Sequence, residues 1–162
     1  MSSEPAWLEI ARKYIGVSEI PGKAENPIIR RWLIQLGAWW TDDDVPWCGV
    51  FAATVMKEAG ITIPKHYYRA RAWLEWGTVL TSPAVGCVVV FDRRGGGHVG
   101  LVVGRSGAFD DLLVLGGNQG NRVSIAAFPR GRVLGYRWPG PLTNLEYTLP
   151  TFGAVPISTS EA

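Results

Sequence analysis

Three side chains have the chemistry of a nucleophile, a base and an orienting amide, and they occur in that order along the chain: Cys48, His98 and Asn118. A thiolate attacks a carbonyl carbon. An imidazole titrating near neutrality takes the thiol proton and returns it to a leaving amine, and an amide against the ring fixes its tautomer. Such a set cleaves peptide or amide bonds by acyl transfer. Taken alone, each has a blander reading: a free cysteine is commonly a small buried hydrophobe, a strand-end histidine satisfies local hydrogen bonds, and an asparagine between glycines makes a turn.

The elements that must position the three raise them together. Cys48 falls in the first turn of a helix expected over about residues 45 to 59, with Asp44 as its N-cap, Pro46 in its first turn and Gly60 past its end. Unpaired N–H groups and the helix dipole there favour a thiolate. His98 opens a strand after Gly95-Gly96-Gly97, while the second histidine, His66, lies in a loop after Pro64 and is the weaker base. Asn118 follows the next strand, and antiparallel pairing would carry the end of that strand back to the start of the one begun by His98. Cys87 lies inside an apolar strand and reads as an inert core thiol.

Two further helices, about 5 to 15 and 27 to 36, precede the cysteine helix, each with apolar residues at helical spacing and a glycine at its end. A helical patch over 69 to 76 follows. Short apolar runs at 85–91, 98–103, 112–115, 123–128 and 133–138 then predict an antiparallel meander. Helices followed by strands make the fold class α+β. Residues 1–140 are expected to form a single catalytic domain, with 141–162 a C-terminal arm that frays at its end.

The chain has 162 residues, enough for one domain that buries roughly two-thirds of its unfolded surface. A net charge of +2 gives no basic stripe for nucleic acid, although arginines crowd the second half. Eight tryptophans read mainly as core, with a minority lining a sugar- or peptide-binding groove as the alternative. No basic start leads into an apolar run, and no apolar stretch is long enough for a bilayer, so the expectation is synthesis in the cytoplasm without a signal peptide or membrane insertion. Two cysteines are too few for a disulfide framework.

The segments Asp44-Val45-Pro46-Trp47-Cys48-Gly49, Gly97-His98-Val99-Gly100 and Leu115-Gly116-Gly117-Asn118-Gln119, with Gly16-Val17-Ser18-Glu19-Ile20-Pro21-Gly22, resemble those of the NlpC/P60 and CHAP superfamily of peptidoglycan hydrolases. The resemblance runs from about Trp7 to Trp138 and is nearest to a small phage- and prophage-associated endolysin-like branch. It implies a papain-like fold with N-terminal helices packed on a C-terminal antiparallel sheet or half-barrel. It also implies Cys48 as nucleophile, His98 as base, Asn118 as orienting residue, no metal or cofactor, and amide bonds of the stem peptide as substrate. On that reading a monomer acts at the cell wall after release or export. The Cys48 backbone N–H is the first oxyanion donor, and the second is left open among Trp47, Gln119 and a protonated acid. Glu19 and Asp44 are candidates for binding amino groups of the stem peptide, although a helix cap is the stronger reading of Asp44. The rivals are other chemistry on the same scaffold, such as a transferase or a toxin-like amidase acting on competitor walls, and a non-catalytic module with a Cys48–Cys87 disulfide.

Overall fold

The computed structural model describes residues 4–19, 26–38 and 47–153. Its elements run α1 (Ala6–Lys13), α2 (Pro27–Leu36), α3 (Cys48–Glu58), a 3-10 turn (Ala70–Glu75), β1 (Thr78–Leu80), β2 (Val88–Arg93), β3 (Gly96–Ser106), β4 (Leu112–Gly116), β5 (Ser124–Phe128), a second 3-10 turn (Arg130–Arg132), β6 (Val133–Trp138) and β7 (Thr151–Phe152). The chain is α+β and papain-like: helices lie against one seven-stranded, almost wholly antiparallel sheet.

Helix α2 has the expected bounds because its ends are chemically specified. The Asn26 side chain accepts from the Ile28 N–H at 2.8 Å, Pro27 takes the first helical position, and Gly37 closes the helix at φ 71°. Helix α3 starts later than expected. Trp47 occupies its capping position, and Asp44, the expected cap, lies outside the described residues. The consequence is that Cys48 is the first residue of the helix.

Residues 48–56 are buried all round because α3 is the central helix, packed against α1 and α2 on one side and the sheet on the other. Trp32 sits at the middle of the helical layer, with Tyr14, Phe51 and Trp47 rings 5.0, 5.6 and 6.1 Å from its own. Trp32, Trp47 and Trp73 are fully buried, as a core reading of the tryptophans requires. Trp39 and Trp40 lie outside the described residues.

The strands β2, β3, β4 and β5 form the expected meander, and β6 returns to the far side of β2, giving the order β1-β6-β2-β3-β4-β5. Strands β1 and β7 were not anticipated. Both are too short to carry a two-residue alternation of their own, and β7 pairs with β3 in parallel, through Arg105 and Ser106. That pairing ties the first part of the C-terminal arm to the sheet, while the expected frayed end lies outside the described residues. The register Phe91↔His98 in β2–β3 and Leu101↔Leu115 in β3–β4 brings the end of β4 toward the start of β3, as antiparallel pairing demands.

Candidate active site

Cys48 opens α3 with 4% of its surface exposed. Burial pushes the thiol pKa up. The hydrogen bond and charge of the His98 imidazole, the Val99 backbone and the charge of Arg93 pull it down, and together they leave it below the ordinary thiol value. The helix start works in the same direction. Gly49 is required beside it, since a Cβ there would lie 2.1 Å from the Tyr67 carbonyl oxygen, where the chain crosses the first turn of α3. Cys87, by contrast, is a fully buried free thiol pushed up to about 12 by desolvation. Both cysteines are free, so the structure has no Cys48–Cys87 disulfide.

His98 is wholly buried at the start of β3. Its ring lies nearly parallel to Phe128, with centroids 5.3 Å apart at 17°, and to its cross-strand partner Phe91 at 6.4 Å and 24°. Nε2 lies 2.9 Å from Oε1 of Gln119. The Gln119 amide nitrogen donates to the Val114 carbonyl at 3.1 Å and the Ser124 carbonyl at 2.8 Å. With both N–H groups spent on carbonyls, the Gln119 oxygen must be the atom facing the imidazole, and as an acceptor it requires Nε2 to carry the proton. The lone pair is then on Nδ1, a buried atom without a hydrogen-bond partner, and the same imidazole acts on the Cys48 thiol.

Space for this arrangement comes from two glycines. A Cβ at Gly116 would lie 2.3 Å from Gln119 Oε1 and 3.4 Å from His98 Nε2, and one at Gly100 would lie 2.5 Å from a Val114 methyl. Gly117 serves the helix side, where a Cβ would meet Phe51 at 2.6 Å and the Trp47 ring at 3.0 Å.

The sequence-expected residues are therefore brought together with one change of partner. Asn118 is buried beside the site, but the hydrogen bond to the imidazole is made by Gln119. Asn118 sits at φ 60°, turning the chain at the end of β4. The longer Gln119 side chain then folds back past Gly116 to reach the ring. The same bonds settle two of the oxyanion candidates. The N–H groups of Gln119 are committed to carbonyls, and Trp47 Nε1 donates to Glu19 Oε1 at 2.6 Å. Trp47 is 1% exposed, so it holds Glu19 from within the core instead of lining a groove. His66 is exposed and lies 2.9 Å from the Tyr68 hydroxyl. Arg93, Phe91 and Phe128 were not anticipated. Nothing in an apolar or hairpin residue's local sequence marks which side chain it will stack on.

Residues 40–118 match the CHAP domain family. Over that segment, just under half of the chain, the protein is similar to the CHAP/NlpC-P60 superfamily. The match holds Cys48 and His98 and ends at Asn118, one residue short of Gln119. No curated protein matches the chain at a significant level. CHAP domains act in general as amidases and peptidases of peptidoglycan, so peptidoglycan is the substrate polymer that the family assigns. No helix of the described residues is long and apolar enough to cross a membrane, and no group of three or more His, Cys, Asp and Glu side chains among them is placed to hold a metal ion.

Proposed function

We propose that the protein is a cysteine-dependent hydrolase of amide bonds in the peptidoglycan stem peptide, with Cys48 as nucleophile, His98 as base and Gln119 as the residue that orients the imidazole. The observation that carries the reading is the pairing of a thiol held below its ordinary pKa with an imidazole whose Nε2 is bound to an anchored amide oxygen. Nδ1 takes the thiol proton, and the thiolate attacks the carbonyl carbon. The Cys48 backbone N–H, which has no intrahelical acceptor at a first helical position, faces the developing oxyanion. Collapse breaks the C–N bond as the imidazolium returns its proton to the leaving amine, leaving a thioester. A water deprotonated at Nδ1 then releases the acid and regenerates the thiol. Gln119 accepts the Nε2–H throughout and stabilises the imidazolium.

The resemblance to phage and prophage enzymes supports a role in lysis or wall remodelling, with the protein acting at the wall after release or export. Thiol alkylation at mildly acidic pH, combined with turbidity loss on purified walls, tests the chemistry. The expected result is labelling of Cys48 and not Cys87, with lysis abolished by Cys48→Ala. Undiminished lysis by that variant would overturn the assignment. Mass analysis of released fragments then distinguishes an endopeptidase from an amidase that frees the stem peptide from muramic acid.

A further inference from the structure

Trp7 and Trp138 line a pocket of about 790 Å³, together with Pro5, Pro139, Pro150 and Glu146. That volume is in the range that holds a small molecule. The pocket lies away from the imidazole: Gly86, whose carbonyl holds the Trp7 indole, donates its own N–H to the Val102 carbonyl at 2.7 Å, and Val102 is four residues along β3 from His98, roughly 13 Å at the strand rise. Its aromatic wall is set by the fold. The Trp7 N–H donates to the Gly86 carbonyl at 2.7 Å, and the Trp7 and Trp138 rings meet edge to face at 5.1 Å and 76°. A Cβ on Gly86 would lie 2.8 Å from the Pro5 ring, so the start of α1 can sit this close only over a glycine.

The polar groups of the pocket are unequal. Glu4 also lines it, but Arg12 takes both of its oxygens at 2.7 Å. Glu146 makes no ion pair among the described residues, and its side chain accepts there only the Thr148 N–H, at 2.8 Å. Trp138 is 5% exposed, yet its indole N–H makes no hydrogen bond among the described residues and is not sealed in the core as that of Trp32 is. No lysine, arginine or histidine is among the lining residues. A matching ligand supplies an acceptor for the Trp138 N–H, a donor for the Glu146 carboxylate and apolar faces for Trp7 and the prolines. An ammonium or guanidinium has no acceptor, a carboxylate or phosphate has no donor, and a proline has no amide N–H. A secondary amide has both groups. The sugars of the peptidoglycan strand carry that amide as an acetamido group, beside a ring whose C–H face can lie on an indole. We infer that this pocket is a second site, separate from the cysteine centre, for N-acetylated sugars of the glycan strand. The inference rests on peptidoglycan as the substrate polymer and not on the cysteine chemistry.

The test titrates chitotetraose, cellotetraose and a polyproline peptide into the full chain and reads binding by calorimetry. Chitotetraose has an acetamide on every ring and no stem peptide, and cellotetraose has a hydroxyl in its place. Chitotetraose is expected to bind about tenfold more tightly than cellotetraose, the scale of one charge-assisted hydrogen bond, and Glu146→Ala to bring the two within about twofold. The Tm of the variant shows that it is folded. No binding of chitotetraose, equal binding of the two sugars, a preference that survives Glu146→Ala, or tighter binding of the polyproline peptide would each overturn the site. Cleavage of a soluble, sugar-free stem peptide is read in parallel and tests the hydrolase reading alone, so the two can fail separately.

Discussion

Nε2–H of His98 donates to Oε1 of Gln119 across 2.9 Å, and the Gln119 amide cannot rotate away because its nitrogen is bonded to the carbonyls of Val114 in β4 and Ser124 at the start of β5. The imidazole tautomer is thus set by backbone carbonyls two bonds removed from it. That leaves Nδ1 as the proton-accepting nitrogen, a consequence of sheet geometry.

Gln119→Leu should lower kcat/KM by about 10²-fold, the lower end of what a positioned acid–base contributes, and should lower Tm as well, because it leaves the Val114 and Ser124 carbonyls and the His98 Nε2–H without their partner. Asn118→Ala should cost far less activity, since it leaves the imidazole's hydrogen bond in place. Steady-state kinetics on solubilised muropeptides for the two variants side by side checks this. An Asn118 effect as large as that of Gln119 contradicts it.

Gly116→Ala puts a methyl 2.3 Å from Gln119 Oε1 and must displace that amide. We expect an activity loss comparable to Gln119→Leu, and the double variant Gly116→Ala/Gln119→Ala to be no worse than the more damaged single one. A double-mutant cycle on kcat/KM reads the coupling, and additive losses would show that the two act separately.

Cys48 should react with an alkylator at pH values where an ordinary thiol is protonated, and Cys87 should stay silent until the pH nears about 12. The stability consequences have opposite signs. Cys48, lowered in the folded state, contributes stability present above the unfolded thiol pKa and lost as pH falls through its folded value. Cys87, raised from 9.0 to about 12, contributes stability present below pH 9.0 and lost as pH rises toward 12. Urea midpoints across pH for Cys48→Ala and Cys87→Ala against the parent should show the first variant without part of the acid-side loss and the second without part of the alkaline one.

Phe128→Leu keeps most of the buried volume and should cost less than about 1.5 kcal/mol of stability. It also removes the aromatic face stacked on His98 at 5.3 Å. An imidazolium over a ring face is stabilised by it, so the variant should move the pH dependence of Cys48 alkylation upward, with Phe128→Tyr restoring it. An unchanged pH profile would leave Phe128 a packing residue only.

Helix α2 was legible to the residue because Asn26, Pro27 and Gly37 are local start and stop signals, and β6 has its expected bounds although Gly135 and Arg137 make its apolar pattern a weaker one. Cys48 and His98 could be paired from sequence because each sits at the start of an element, where local chemistry and chain direction already say what the backbone is doing. Helix α3 is described from Cys48 with Trp47 as its cap, whereas the expected start rested on the propensities of Asp44 and Pro46, which lie outside the described residues. Strands β1 and β7 stayed hidden because two or three residues carry no period, and their pairing partners are far off in sequence.

Strand order and the family resemblance pointed to Asn118 as the amide on the imidazole, whereas the fold puts its neighbour Gln119 there. The sequence by itself determined that a helix-start thiol, a strand-start imidazole and an amide at the end of β4 are the candidates, since these depend on residue type and on antiparallel order. Only the tertiary structure decided which amide reaches the ring. That choice depends on the left-handed turn at Asn118, the room left by Gly100 and Gly116, and two carbonyls from neighbouring strands, none of which acts until the sheet has closed around them.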